Sequence, residues 1–183
     1  TCPKLKAEGA KPGRGYIAAM RLFVDEKEKS IAITNPVYFG KAYMQDQYNH
    51  NTFAAIKGKI DAAFPGLKYS ADNMKFKNLE DFHFTIGMPY YKDQALLGEG
   101  TNDELIARAK TFKKGADIIF ELKLSDKSTL VGHKLGMKTA AFVDKVGRAN
   151  AAVMPWMVLL EGGKAQTLKG EYYIAMNYPL LGM

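Results

Sequence analysis

Two stretches of the chain have the spacing of apolar residues that predicts an amphipathic helix. From Thr52 to Phe64 the apolar positions recur at three- and four-residue steps, and a Pro-Gly pair ends the pattern. A second helix is predicted from Thr101, because Glu104 three residues later completes the capping-box pattern, and Gly115 ends it. A shorter helix is expected around 139–146.

Alternation of apolar and polar residues, together with turn residues between the runs, predicts β-strands along the rest of the chain. The predicted strands are Tyr16–Val24, Ser30–Thr34, Met74–Phe76, Phe82–Met88, Asp117–Leu124, Thr129–Leu135, Pro155–Leu160 and Leu168–Tyr178. Several neighbours are spaced as hairpins, and helices are interspersed among them. This pattern favours an α+β fold with a mostly antiparallel sheet and helices on the outside.

Two segments follow neither period. Thr1–Gly15 is rich in Gly and Pro and is predicted to be an extended N-terminal arm, which leaves residues 16–183 as a single bilobal domain. Asn35–Asn51 carries aromatic rings among Gln, Asn and Asp side chains, and we expect an irregular polar-aromatic loop there.

Composition and charge restrict the class of protein. Hydrophobic residues make up 47% and charged residues 25%, typical of a folded soluble protein. No apolar run approaches the roughly 20 residues that span a bilayer. The net charge of +7 favours acidic partners such as a phosphate-containing small molecule or RNA. The lysines are scattered, so a solvated lysine-rich surface is the alternative.

The single cysteine, Cys2, excludes an internal disulfide framework and a cysteine metal cluster. Because the chain begins at Thr1 rather than Met, we expect an upstream segment that was removed. Cys2 near the new N-terminus is compatible with a modified, lipid-anchored exported protein; the alternatives are a trimmed cytoplasmic protein and a secreted protein without an anchor. The histidines lack metal-ligand spacing and no glycine-rich phosphate loop is found, so no metal and no cofactor are expected.

Two octads, which begin at His83 and Glu171, share Ile, Met and Tyr in register although about half the chain separates them. If both are strands, alternate side chains point to opposite faces, which places His83 and Thr85 on one face. The second octad has Glu171 and Tyr173 at these two positions. The repeat predicts two related lobes whose four side chains face one groove.

The run His83-Phe84-Thr85-Ile86 resembles a motif of the 2H phosphoesterase superfamily. Members of that superfamily carry two His-x-Thr/Ser-x motifs on facing strands of a bilobal α+β fold, and they act on 2′,3′-cyclic phosphates or related RNA ends without a metal. The resemblance implies that His83 is an acid or base and that Thr85 holds the phosphate, since imidazole both takes and gives a proton near neutral pH.

The second motif departs from the superfamily, because Glu171 replaces the histidine and Tyr173 the smaller hydroxyl residue. A buried glutamate can act as a general acid, but its negative charge would repel a phosphate. We therefore expect a 2H-like domain that binds a phosphate ester or RNA end, with weak or lost phosphodiesterase activity, as in a pseudoenzyme.

The alternative is a non-catalytic binding or structural module, exported or at a surface, that uses the Tyr38–Tyr48 segment. Tyr38, Tyr43 and Tyr48 lie among amide side chains, a combination that stacks on bases or sugars and also suits a protein partner. Rings that pack back onto the domain would give the same pattern.

Overall fold

The computed structural model describes residues 1–81, 86–137, 141, 147 and 152–180. In that part of the chain it has antiparallel sheets of two and five strands together with helices, which confirms the predicted α+β class. The helices are α1 (Pro3–Gly9), α2 (Pro36–Met44), α3 (His50–Ala63), α4 (Asn102–Thr111) and α5 (Gly170–Asn177). The strands are β1 (Leu22–Asp25), β2 (Ser30–Ile33), β3 (Ala95–Glu99), β4 (Ile118–Ser125), β5 (Ser128–His133), β6 (Trp156–Glu161) and β7 (Lys164–Thr167).

The chain divides into two compact units, each assembled from two segments. Unit 1 consists of Thr1–Ile33 and Gln94–Leu168, and unit 2 of Thr34–Asp93 and Lys169–Met183. Unit 1 carries all seven of the described strands, whereas the regular elements described in unit 2 are helices.

Unit 1 is built on a sheet of order β3-β7-β6-β5-β4, in which every neighbouring pair is antiparallel. The predicted hairpin of β4 and β5 is confirmed, and so is the turn of Glu161–Lys164 between β6 and β7. Strand β3 was not predicted from the sequence. Helix α4 contributes Leu105 to a buried cluster with side chains of three strands, namely Val131, Val158, Leu160 and Ala165.

The start of α4 has the complete capping box expected from the sequence. The Thr101 hydroxyl accepts the Glu104 N–H at 3.3 Å, and the Glu104 carboxylate accepts the Thr101 N–H at 2.8 Å. Each bond satisfies a backbone donor that has no partner within the helix.

Thr101→Ala is expected to lower the free energy of unfolding by about 1 kcal/mol, because it removes the oxygen that accepts the Glu104 N–H. Urea unfolding followed by Trp156 fluorescence measures this, since both residues belong to unit 1. Thr101→Ser keeps the hydroxyl and is the matched control. An equal loss in both variants would show that the cap contributes nothing.

The N-terminal segment is not an extended arm, contrary to the prediction. Pro3 occupies the first turn of α1, where its missing N–H costs no hydrogen bond and its fixed φ suits a helix. Leu5 and Gly9 are buried, and a Cβ on Gly9 would lie 2.6 Å from the Cβ of Ala18. A 3-10 turn follows, so the first strand begins at Leu22 and not at Tyr16; its pairing with β2 is confirmed.

Unit 2 begins with a helix where a loop was predicted. Asn35 caps α2, because its side-chain oxygen accepts the Val37 N–H at 3.0 Å, and Pro36 takes the first helical position. The Asn-Pro pair is thus a helix start signal that the surrounding amide residues obscured. Helix α3 follows the predicted spacing but starts at His50, because Asn49 and not Thr52 is the cap.

The second octad forms a helix, so the predicted strand at Leu168–Tyr178 is wrong. Tyr172, Tyr173, Ala175 and Met176 are buried on α5. Such an unbroken apolar run is compatible with a buried strand or a buried helix, and its periodicity cannot distinguish them. In the first octad, Ile86 and Gly87 form a turn. The strand predicted at Met74–Phe76 is also wrong, since a 3-10 turn begins at Phe76.

Candidate functional site

Of the three residues predicted to be catalytic, Glu171 is the one that lies among the described residues. His83 and Thr85 lie outside the described residues, as does most of the helix expected around 139–146. Glu171 is exposed in the first turn of α5, where a carboxylate interacts favourably with the helix dipole. The geometry of two facing strands that the repeat predicted is therefore not formed at Glu171, and the 2H resemblance stays a prediction.

Two of the four tyrosines predicted to bind a ligand belong to the core of unit 2, and a third, Tyr38, is partly buried. Tyr43 and Tyr173 are almost completely buried. The Tyr38 hydroxyl donates to the Met176 carbonyl at 3.1 Å and accepts the Met74 N–H at 3.3 Å, so it ties three segments together. The rings of Tyr43 and Tyr173 are therefore not accessible to a ligand.

Burial keeps the phenols of this core neutral. It raises the pKa of Tyr38 to about 12, although the Met74 N–H opposes the change. Burial also raises the pKa of Tyr172 far above its ordinary value, with further contributions from the nearby Tyr43 and Tyr91. These phenols stay protonated near neutral pH, so their hydroxyls have a structural role and do not act as acids.

Tyr48, the fourth predicted tyrosine, is half-buried at the surface of unit 2. Its ring stacks on Phe53 of α3, with centroids 5.4 Å apart and 14° between planes, and meets the edge of Phe76 at 5.8 Å. The Tyr48 hydroxyl lies 3.1 Å from Nδ1 of His50. The ammonium of Lys41, which is also paired with Glu80, lies 5.5 Å from the centre of the Tyr48 ring.

A second ring and cation lie beside the next turn of α3. The Lys57 ammonium lies 4.7 Å from the centre of the Tyr69 ring and 2.7 Å from a carboxylate oxygen of Asp61. The hydrogen bond to Asp61 raises the pKa of Lys57, so the ammonium stays charged over the ring. Tyr69 is 75% exposed and is the more accessible of the rings described here.

These contacts lie along α3 in two groups, one around Tyr48 and one around Tyr69, and we call their residues the α3 strip: Tyr48, Phe53, Lys57, Tyr69 and Phe76. Phe53 and Lys57 are one turn apart on the same face of the helix, because they are four residues apart. Phe53 is fully buried and supports Tyr48, whereas Phe76 is 43% exposed. Tyr69 and Phe76, which lie in the segment after α3, therefore present two accessible rings beside this helix.

Exposed lysines adjoin the accessible rings in sequence. Lys68 precedes Tyr69, and Lys75 and Lys77 flank Phe76. The acidic and basic residues of unit 2 nearly balance, so any positive field at the strip comes from these lysines and not from the unit as a whole. In the sequence these lysines are scattered among others, and their alternation with aromatic residues was the signal available.

A separate polar pocket of about 350 Å³ lies in unit 1 between the start of α4 and two hairpin turns. Asp103 and Asp126 contribute to its lining, and the Thr101 hydroxyl already caps the helix beside it. The two carboxylates disfavour an anion there, because like charges repel.

Within the described ranges, no three or more His, Cys, Asp or Glu side chains are arranged to hold a metal ion. None of the helices described has the length and apolar character needed to cross a membrane. No family model matches this chain, and no curated protein or solved structure is significantly similar to it.

Proposed function

We propose that the protein is a non-catalytic binding protein whose α3 strip takes a nucleotide-like ligand, in which a planar base is linked to a phosphate. The observation that carries this proposal is the row of rings and ammonium groups along α3. Of these rings, Tyr48 belongs to the Tyr38–Tyr48 segment predicted to bind a ligand, whereas Tyr69 and Phe76 lie outside that segment.

The chemistry of the strip supports a ligand with a flat, polarisable ring. Exposed aromatic rings stack on any nucleobase, and each such contact contributes about 1–3 kcal/mol. Tyr69 and Phe76 have the exposure that stacking requires. Burial raises the pKa of Tyr48, so its hydroxyl stays neutral and does not repel a phosphate.

The lysines next to the rings support a phosphate on the same ligand. In the described structure Lys68, Lys75 and Lys77 are exposed. A protein partner would use the rings equally well, but it would not require three cations in sequence next to two rings. The combination therefore favours a phosphate-bearing ligand over a neutral sugar or an apolar peptide.

The proposal is tested by adding an RNA hexamer to the isotopically labelled protein and following backbone amide shifts. We expect shift changes at Tyr48, Lys57, Tyr69 and Phe76. If Lys68, Lys75 and Lys77 each neutralise one phosphate, log K should fall with log salt with a slope of about −2. Affinity would then drop roughly 20-fold between 50 and 200 mM salt.

Two results would contradict the proposal. The first is a lack of binding, or shift changes confined to the basic residues of unit 1. The second is catalysis: the same protein, incubated with a 2′,3′-cyclic nucleotide and chelator, is expected to leave it intact. Rapid hydrolysis that is lost in His83→Ala would instead support the 2H hypothesis.

A further inference from the structure

The α3 strip has two separate positions where a base can stack. The first, which we call the Phe76 position, is formed by Phe76 and Tyr48 against Phe53. The second, the Tyr69 position, is formed by Tyr69 over Lys57. Tyr69 packs against Lys57, and Phe76 packs against Tyr48, so the two positions share no side chain.

The spacing along α3 limits what can occupy both positions. A rise of about 1.5 Å per residue places Phe53 and Lys57 about 6 Å apart along the helix axis. Phe53 and Lys57 belong to different positions, and among the described residues Tyr69 and Phe76 make no ring contact with each other, so the two positions take separate bases and not one continuous stack. A single base occupies one position at a time.

The ion pair between the positions also limits the ligand. Lys57 contacts both carboxylate oxygens of Asp61 at 2.7 Å, which leaves this pair with little net charge to attract a phosphate. The exposed cations available for phosphates are then Lys68, which is next to Tyr69 in sequence, and Lys75 and Lys77, which are next to Phe76. A ligand with phosphates on either side of its bases matches this order of groups.

We infer that the α3 strip binds single-stranded nucleic acid, with two unstacked bases of one strand at the Phe76 and Tyr69 positions. This inference rests on the proposed function and adds the length and form of the ligand. A base-paired duplex is a poor ligand, because its base faces are covered by neighbouring bases. A mononucleotide gains only one of the two stacking contacts.

A length series tests the inference, with uridine monophosphate, uridylate oligomers of two, three and six residues, and a duplex RNA as probes. Affinity is expected to rise about 5- to 150-fold between the monophosphate and the oligomers that reach both positions, because a second base is stacked. In Tyr69→Ala and in Phe76→Ala this gain should disappear while the monophosphate still binds. Phe112→Ala is the matched control, since Phe112 is an exposed ring in unit 1 with the Lys113 ammonium 5.2 Å from its centre.

The outcomes separate the inference from the proposed function. If the monophosphate binds as tightly as the hexamer, or the duplex as tightly as the single strand, the inference is wrong and the proposed function stands. If no probe binds, the proposed function fails and the inference with it. If affinity still rises with oligomer length in both ring variants, the two bases bind elsewhere and the inference is wrong.

Discussion

Removal of both accessible rings, in Tyr69→Ala/Phe76→Ala, is expected to weaken RNA hexamer binding by roughly 30-fold to 10⁴-fold. The range follows from about 1–3 kcal/mol for each stacked base and tenfold for every 1.4 kcal/mol. The two contributions should be nearly additive, because the Tyr69 and Phe76 positions share no side chain. Fluorescence anisotropy of labelled RNA at fixed salt is the measurement.

The double variant should remain folded, since exposed side chains removed to alanine usually change stability by less than about 0.5 kcal/mol. Phe112→Ala removes a ring with a similar lysine contact outside the strip and should bind like the unsubstituted protein. Equal losses in Phe112→Ala and in the double variant would mean that exposed aromatic surface in general, and not the α3 strip, holds the RNA.

Phe53→Ala is expected to lower the stability of unit 2 by about 3–5 kcal/mol. Phe53 is fully buried, and truncation of a buried phenylalanine costs both the transfer free energy of the ring and the cavity that remains. It also lies close to α2, because a Cβ on Gly40 would be 2.7 Å from the Phe53 ring. The cavity would therefore open between α2 and α3.

Amide hydrogen exchange of α3 measures this loss. The single tryptophan, Trp156, belongs to unit 1 and does not report on unit 2 directly. Tyr69→Ala is the matched control, because its ring is exposed and its removal should leave exchange in α3 unchanged. A Phe53→Ala protein with undiminished protection would show that this ring does not hold α3 in place.

Local signals in the sequence were sufficient for several elements. The capping box at Thr101 and Glu104 uses residues three apart, so it predicted the start of α4 correctly. The alternation in β4 and its short connection to β5 likewise require only neighbouring residues, and this hairpin is confirmed. The pattern of α3 was also correct, although the true cap is Asn49.

Other elements were predicted wrongly because one local pattern is compatible with two structures. The apolar run that begins at Tyr172 has no polar interruption, and only its packing in unit 2 selects a helix. Pro3 was among the residues that predicted an extended arm, but it stands in the first turn of a helix, where proline is favoured, and Pro36 does so too. The octads were similar in sequence, and this similarity did not extend to a strand at Glu171.

The sequence by itself determined the fold class, the two amphipathic helices and the abundance of aromatic residues near lysines. Only the tertiary structure decided which rings are buried and which face solvent. Tyr38 is partly buried, and its hydroxyl donates to the Met176 carbonyl, which lies 138 residues away in the chain. Tyr69 and Phe76, which have lysine neighbours in the sequence, remain exposed. Burial depends on contacts between distant segments, which short-range periodicity does not encode.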